Sequence, residues 1–372
     1  MGSIGAAFLL AYVPAMVIVV LIGFFVQRAK EQLRKIPDWV IVEFVEVIVP
    51  FRNEADRIMP LLESFRSASE LPGRITFVDD HSTDNSVALI HKHMEGLPYQ
   101  VLSMPDDQSG KKLAIRHGIK QAGGEYILTL DADVWFEKNY FTSIGTLPRV
   151  DMLVLPAVMK AKKWFEYLFE IDVLLANAIN MGISGISRPI MASGANLLFR
   201  KDVFERVDNL ERHQHMASGD DTYLLRDFRE KNCSVRLQSS LDVAVYTETP
   251  STFKSFIDQR LRWISKTGDI KDPLNTSIAW GQLILSLFFL SVLFFYYFTG
   301  KWFVVLLFFL GKTGVDLGIF FPYAKRINRP IPWALLPVYQ LLFPFYSILL
   351  TILVFTYKPK WKGRKIYDNK KP

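Results

Sequence analysis

The run Tyr126-Ile127-Leu128-Thr129-Leu130-Asp131-Ala132-Asp133 decides the fold. An apolar stretch switches abruptly to two carboxylates separated by one small residue. A short apolar run bounded in this way reads as a buried strand whose end emerges at a sheet edge. Three further polar islands follow in fixed order: Val78-Asp79-Asp80-His81-Ser82, Gly219-Asp220-Asp221 and Gln259-Arg260-Leu261-Arg262-Trp263. Three of the four islands are acidic, and the last is cationic and aromatic. Acidic groups at strand ends can hold a divalent cation, and a cation with a nearby Arg suits a diphosphate leaving group. The combination points to chemistry on a nucleotide-activated donor.

Outward from this run the pattern alternates. Strands are expected at 44–50, 74–80, 99–104 and 126–131. Helices are expected at 53–67, after Asp84 or Asn85 as N-cap, and at 111–122. Strands alternating with helices argue for an α/β domain, Rossmann-like, with a mostly parallel sheet and helices on both faces. Ligands of such sheets sit beyond the carboxyl ends of the strands, where Asp79, Asp80, Asp131 and Asp133 all fall. A long apolar helix is expected at 164–183, a small-residue turn at Ser193-Gly194-Ala195-Asn196, and an amphipathic helix at 252–266 suited to a membrane interface.

Half of the 372 residues are hydrophobic, yet 22% are charged. This suits a chain that is part soluble and part membrane-embedded. Residues 6–26 are long and apolar enough to cross a bilayer, and Arg28, Lys30, Arg34 and Lys35 follow them. With no preceding positive charge, the segment reads as an uncleaved anchor, N-terminus outside. Three more apolar segments lie at 278–298, 302–323 and 332–357. The expected organisation is an anchor at 1–27, a cytoplasmic domain at 40–270, a transmembrane region at 275–357 and a basic tail at 358–372.

The expected location is the cell (inner) membrane, with the catalytic domain cytoplasmic. One conflict stands: three crossings put the tail outside, whereas its lysines favour the inside. A break near 311–318 or 332–344 would resolve it. Lys312 and Asp316, one helical turn apart in an apolar segment, can pair. The net charge of +7 is small for nucleic-acid binding, and none is expected. The single Cys233 excludes an intrachain disulfide and reads as a small buried residue.

The ordered motifs Val49-Pro50-Phe51-Arg52-Asn53-Glu54, Val78 to Asp84, Asp131-Ala132-Asp133, Gly219-Asp220-Asp221 and Gln259 to Trp263 resemble the family 2 glycosyltransferases. The resemblance is greatest to their membrane-embedded branch, which includes polysaccharide synthases and ceramide glucosyltransferases. It covers about residues 44–269 and implies an inverting enzyme of GT-A fold.

Two carboxylates at i and i+2 on a strand end can share one hard cation, Mg²⁺ or Mn²⁺. By resemblance, Asp133 is the more direct metal ligand, and Asp131 also touches the sugar nucleotide. Asp79 contacts base and ribose. Asp221 is the general base, with Asp220 its rival. The departure from the Thr-Glu-Asp of cellulose synthases keeps two acids here.

Lys111, opening a helix, suits a donor phosphate, with Lys112 the alternative. Arg262 offers a planar cation for phosphate and Trp263 a face for an acceptor sugar. Substrate binding is thus expected of Pro50, Asp79, Lys111, Asp131, Asp220, Gln259, Arg262 and Trp263. The implied partners are a nucleotide-sugar donor with UDP favoured, a lipid or saccharide acceptor, and membrane lipids. His213 and His215 read as loop residues.

Overall fold

The computed structural model describes residues 20–27, 38–208, 220–270, 272–326, 333–357, 360–361 and 364–365. Most of the expected anchor, the basic residues at 28–35, His213, His215, Gly219, Arg329 and most of the tail lie outside the described residues. So does the side chain of Asp220.

The strands, in chain order, are β1 (Val45–Phe51), β2 (Arg74–Asp79), β3 (Tyr99–Ser103), β4 (Tyr126–Leu130), β5 (Val134–Phe136), β6 (Met152–Val154), β7 (Ala157–Lys160), β8 (Asn196–Arg200), β9 (Val235–Leu237) and β10 (Val245–Glu248). The helices are α1 (Met59–Ser67), α2 (Ser86–Met94), α3 (Lys111–Gln121), α4 (Tyr140–Ile144), α5 (Glu166–Ile186), α6 (Lys201–Val207), α7 (Asp220–Glu230), α8 (Phe253–Ile270), α9 (Pro273–Phe298), α10 (Trp302–Arg326) and α11 (Leu335–Thr356).

Compactness divides the chain into two units. An α/β unit holds Leu33–Lys160 and Met191–Glu248, and a helical unit holds Ala161–Ile190 and Thr249–Lys360 together with the N-terminal residues. Composition alone keeps 161–190 and 249–270 inside one stretch of 40–270. Packing groups them with the apolar helices instead.

In the α/β unit a seven-stranded sheet runs β3-β2-β1-β4-β8-β6-β9, and a small sheet runs β5-β10-β7. Strands β1 to β4 are mutually parallel, as the alternating pattern requires. Strand β8 is antiparallel to β4, with Leu130 opposite Asn196. The residues entering β8 therefore lie beside the residues leaving β4.

Period-two alternation sends Val47, Val49 and Phe51 into one core and Ile48 into the other. Helices α1, α2 and α4 fill the first core with Phe65, Ile90 and Phe141, and α3 fills the second with Ala114, Ile115 and Ile119. A Cβ on Gly118 would come within 2.9 Å of Ile48 Cγ2, so α3 lies close on the sheet and fixes its N-terminal Lys111. Pro50 stands past the last β1–β4 partner pair, Ile48 with Thr129, so its missing N–H breaks no bond to β4.

The first helix differs from expectation. It begins at Met59, with Pro60 in its first turn, and not at Asn53. The amides of Asn53, Glu54 and Ala55 donate instead to Ser82 Oγ, Ser86 Oγ and Asp84 Oδ2 at 3.0, 2.8 and 3.0 Å. Asn53 itself takes the left-handed conformation, with φ of 50°. Side chains from the turn after β2 thus hold residues 53–55 in an irregular loop, and the left-handed backbone of Asn53 keeps it out of a helix.

The helical unit contains four helices long and apolar enough to cross a membrane among the described residues: Glu166–Ile186, Thr276–Phe298, Trp302–Arg326 and Leu335–Thr356. Three match the expected C-terminal segments. The fourth, α5, is the apolar helix placed by sequence in the soluble domain. Residues 20–27 are helical and approach α5 so closely that a Cβ on Gly23 would collide with the Gly182 carbonyl. Helix α10 runs unbroken through Gly311, Gly314 and Gly318, and α11 through Pro344.

Lys312 and Asp316 pair at 2.7 Å, and Gln340 on α11 bonds to both. Removing one half of a largely enclosed pair strands a charge, at a cost of up to about 3–5 kcal/mol. Lys312→Met is accordingly expected to lower the unfolding temperature in lipid by many degrees, and adding Asp316→Leu to recover most of the loss. Equal stability of the single variant and wild type would contradict this role.

Candidate active site

The carboxyl ends of β2 and β4 bring two of the sequence islands to one edge of the α/β unit, beside the Val49–Glu54 motif at the end of β1. After β2 the chain turns sharply: Asp79 Oδ1 accepts from the Ser82 amide at 2.9 Å, and the Asp80 amide donates to the Phe51 carbonyl at 2.9 Å. Asp84 accepts the Ser86 amide and hydroxyl at 3.0 and 2.6 Å. Burial opposes ionisation of Asp84, but these bonds and the one from the Ala55 amide hold its carboxyl below the usual carboxylate range. Asp84 therefore orders the turn and leaves Asp79 as the acid at the strand end.

The sequence places Asp80 at this strand end but gives neither it nor His81 a task. Asp80 is buried and accepts the Gly110 amide at 3.1 Å, which ties the end of β2 to the start of α3. Its other oxygen lies 3.3 Å from His81 Nδ1. His81 has a φ of 60°, and its Nε2 is buried without a hydrogen-bond partner among the described residues. Unusual backbone of this kind gathers at functional turns. The second acid of the Asp79-Asp80 pair was the only available signal.

At the end of β4, Asp131 and Asp133 each meet a cation. Lys111 Nζ donates to Asp131 Oδ1 at 2.6 Å, and Arg57 Nη1 to Asp133 Oδ2 at 3.1 Å. Arg57 also pairs with Glu54 at 2.6 Å. The sequence marked Lys111 and overlooked Arg57, which lies in an unremarkable turn before α1. Lys112, the rival, turns elsewhere: it is nearly buried, with Nζ 4.4 Å from the centre of the Tyr223 ring.

Asp131 and Asp133 suit a hard divalent cation. Both are carboxylates, both are partly exposed at a strand end, and they are two residues apart. Among the described residues no group of three His, Cys, Asp or Glu converges, so the pair at the end of β4 would hold a cation through two carboxylates. That is the mode of a cation completed by substrate phosphates and water.

The fourth acid arrives from α7. Asp221 Oδ2 accepts the Gly194 amide at 3.1 Å, and Oδ1 accepts the Thr222 amide and hydroxyl at 2.6 and 2.9 Å. The small-residue turn at Ser193–Asn196 thus grips this carboxylate just before β8, and β8 lies next to β4. A cavity of about 40 Å³ opens here, lined by Asp221, Gly194, Lys112, Thr129 and Tyr223.

The cationic island lies on α8 of the helical unit. Trp263 is 38% exposed. Gln259 Oε1 is buried with no hydrogen-bond partner among the described residues. Cys233 is half-buried against the second core and not fully enclosed, and burial pushes its thiol pKa up.

The sequence model for glycosyl transferase family group 2 matches residues 126–358, and that for glycosyl transferase family 2 matches 46–144. The chain belongs to glycosyltransferase family 2. Among relatives of this family 2 glycosyltransferase is poly-beta-1,6-N-acetyl-D-glucosamine synthase of Staphylococcus aureus strain MSSA476, 30% identical over 138 residues, 36% of this chain and 33% of that one. Another is undecaprenyl-phosphate 4-deoxy-4-formamido-L-arabinose transferase of Edwardsiella ictaluri, 30% identical over 101 residues, 26% of this chain and 31% of that one. The chain thus spans about a third of the length of these curated relatives.

A solved mannosyltransferase of Pyrobaculum calidifontis, in complex with GDP-Man and Mn²⁺, has a TM-score of 0.56 at 18% identity, over 92% of this chain and 99% of that one. This likeness bears on the fold of the family 2 glycosyltransferase, a Rossmann-like GT-A arrangement with a parallel sheet, as expected from the motifs.

Proposed function

We propose that this glycosyltransferase moves a sugar from a nucleotide-diphosphate donor to an acceptor hydroxyl at a membrane, with inversion at the anomeric carbon. The observation that carries the reading is the gathering of Asp79, Asp131, Asp133 and the Gly194-held Asp221 around the carboxyl ends of β2 and β4. Asp79 is assigned to the nucleoside, beside Pro50 at the end of β1. Lys111 and Arg57, already at the two β4 carboxylates, are placed to pair with donor phosphates.

Asp221 takes the proton of the acceptor hydroxyl as its oxygen attacks the anomeric carbon from the face opposite the diphosphate. The bond from the anomeric carbon to the diphosphate oxygen breaks, and the pair of electrons leaves with the nucleoside diphosphate. Asp131 and Asp133 would hold Mg²⁺ or Mn²⁺, which when bound offsets the negative charge of the diphosphate. Asp220, beside Asp221 at the start of α7, is assigned to substrate. Gln259, Arg262 and Trp263 are assigned to substrate, the orphaned Gln259 oxygen as an acceptor for a substrate hydroxyl.

UDP-sugars are the favoured donors and a lipid-linked acceptor the favoured partner. The likeness to an undecaprenyl-phosphate transferase supports such an acceptor, and the four apolar helices support a place in the cell membrane with the α/β unit cytoplasmic. The likeness to a polysaccharide synthase supports a second reading, processive synthesis of a polymer.

The test is nucleoside diphosphate release by the full chain in lipid, over a panel of UDP- and GDP-sugars with Mg²⁺ or Mn²⁺. Release from one donor class is expected. Neither release nor calorimetric binding of any donor would overturn the reading, and polymer in place of a single-sugar product would decide for the second.

A further inference from the structure

The residue between Gln259 and Leu261 has no assigned task, yet it is the most enclosed cation of the motif. Arg260 is 6% exposed. On one side its Nη2 pairs with Asp172 Oδ2 of α5 at 2.5 Å, and Asp172 Oδ1 accepts the Tyr339 hydroxyl of α11 at 2.7 Å. On the other side its guanidinium lies 4.4 Å from the centre of the Trp263 ring and 5.1 Å from that of Phe256. Phe256 in turn stacks on Phe169 of α5 at 4.1 Å. One flat cation thus fills the space between a carboxylate anchored to two helices and the face of the partly exposed indole.

We propose that Arg260 is a positioning residue: held by Asp172 and Tyr339, it covers one face of Trp263 and fixes the orientation in which the other face is presented to substrate. The substrate-facing part rests on the assignment of Trp263 under the proposed function. The geometry has a chemical logic. A guanidinium can ion-pair with a carboxylate and lie over an indole ring at once. A lysine could keep the ion pair and lose the stack. An interhelical pin would need the ion pair alone, so the stack on Trp263 separates positioning from mere support.

The test uses hydroxyl-radical oxidation of the full chain in lipid nanodiscs, read by mass spectrometry at Trp263 with the exposed Trp164 as reference. The pair Arg260→Met and Asp172→Asn is introduced together so that no buried charge is stranded. Oxidation of Trp263 relative to Trp164 is expected to rise about threefold while buried Tyr126 and Tyr140 stay protected. Unchanged oxidation at Trp263 would overturn the proposal. If general unfolding exposes Tyr126 and Tyr140, Arg260→Lys replaces the pair, and the same rise at Trp263 alone is required.

Transfer from the UDP- or GDP-sugar that the wild type turns over gives the second arm. Arg260→Met with Asp172→Asn is expected to add nothing to the loss caused by Trp263→Ala, and losses that multiply would overturn positioning through Trp263. Full transfer by Trp263→Ala alone would instead sink the substrate role of Trp263 and leave the oxidation result standing on its own.

Discussion

Asp221→Asn is expected to lower the transfer rate by about 10²–10⁴-fold, the usual worth of a positioned general base, while donor affinity changes little. The argument rests on what the substitution keeps. Asp221 accepts the Gly194 amide with one oxygen and the Thr222 amide and hydroxyl with the other. Asparagine retains one acceptor oxygen and turns an amide NH₂ toward one of those donors. The local cost is about 1–3 kcal/mol, and the substitution removes no apolar contact from the second core beside it. Steady-state kinetics beside donor calorimetry and thermal melting separate the cases. Near-normal kcat would remove Asp221 from the base role, and loss of donor binding would assign it to the donor.

Asp133→Ala is expected to weaken donor binding in Mg²⁺ or Mn²⁺ about 100-fold or more and to make the residual binding insensitive to chelator. The variant frees Arg57 from one partner, but Glu54 still holds it at 2.6 Å. The turn before α1 is therefore expected to survive, and a melting curve checks it. Arg57→Ala is the informative companion: it leaves Asp133 in place, so its donor binding should stay chelator-sensitive. Unchanged, metal-dependent donor binding in Asp133→Ala would refute the metal assignment.

Much of this site was legible because strands announce their ends. The apolar runs before Asp79 and Asp131 each stop where polarity switches, and the structure ends β2 at Asp79 and β4 at Leu130. Register then places those acids without further information. The start of α1 was not legible, because the amides of residues 53–55 bond to side chains 29 to 32 positions away and no local propensity records such bonds. Arg57 was missed, and Asp80 and Arg260 were placed without a task, for the same reason: each matters through a partner distant in sequence, Asp133, Gly110 and Asp172 respectively. The division into units escaped composition because α5 is apolar enough for a membrane and also sits in mid-chain, between strands of the α/β unit.

The antiparallel pairing of β8 with β4 has a consequence for biosynthesis. Leu130 and Asn196 are partners across sixty-six positions, and α5 lies in the interval. At about 5–20 residues per second, synthesis needs roughly 3–13 s to deliver β8 after β4. During that time the strand leading to Asp131 has an unpaired edge, the kind of surface that recruits other chains. The same interval delivers α5, an apolar helix that itself needs cover. The nascent chain therefore presents a sticky sheet edge and an uncovered apolar helix together. Early cover of both, by lipid or by a chaperone, would protect the chain until β8 arrives.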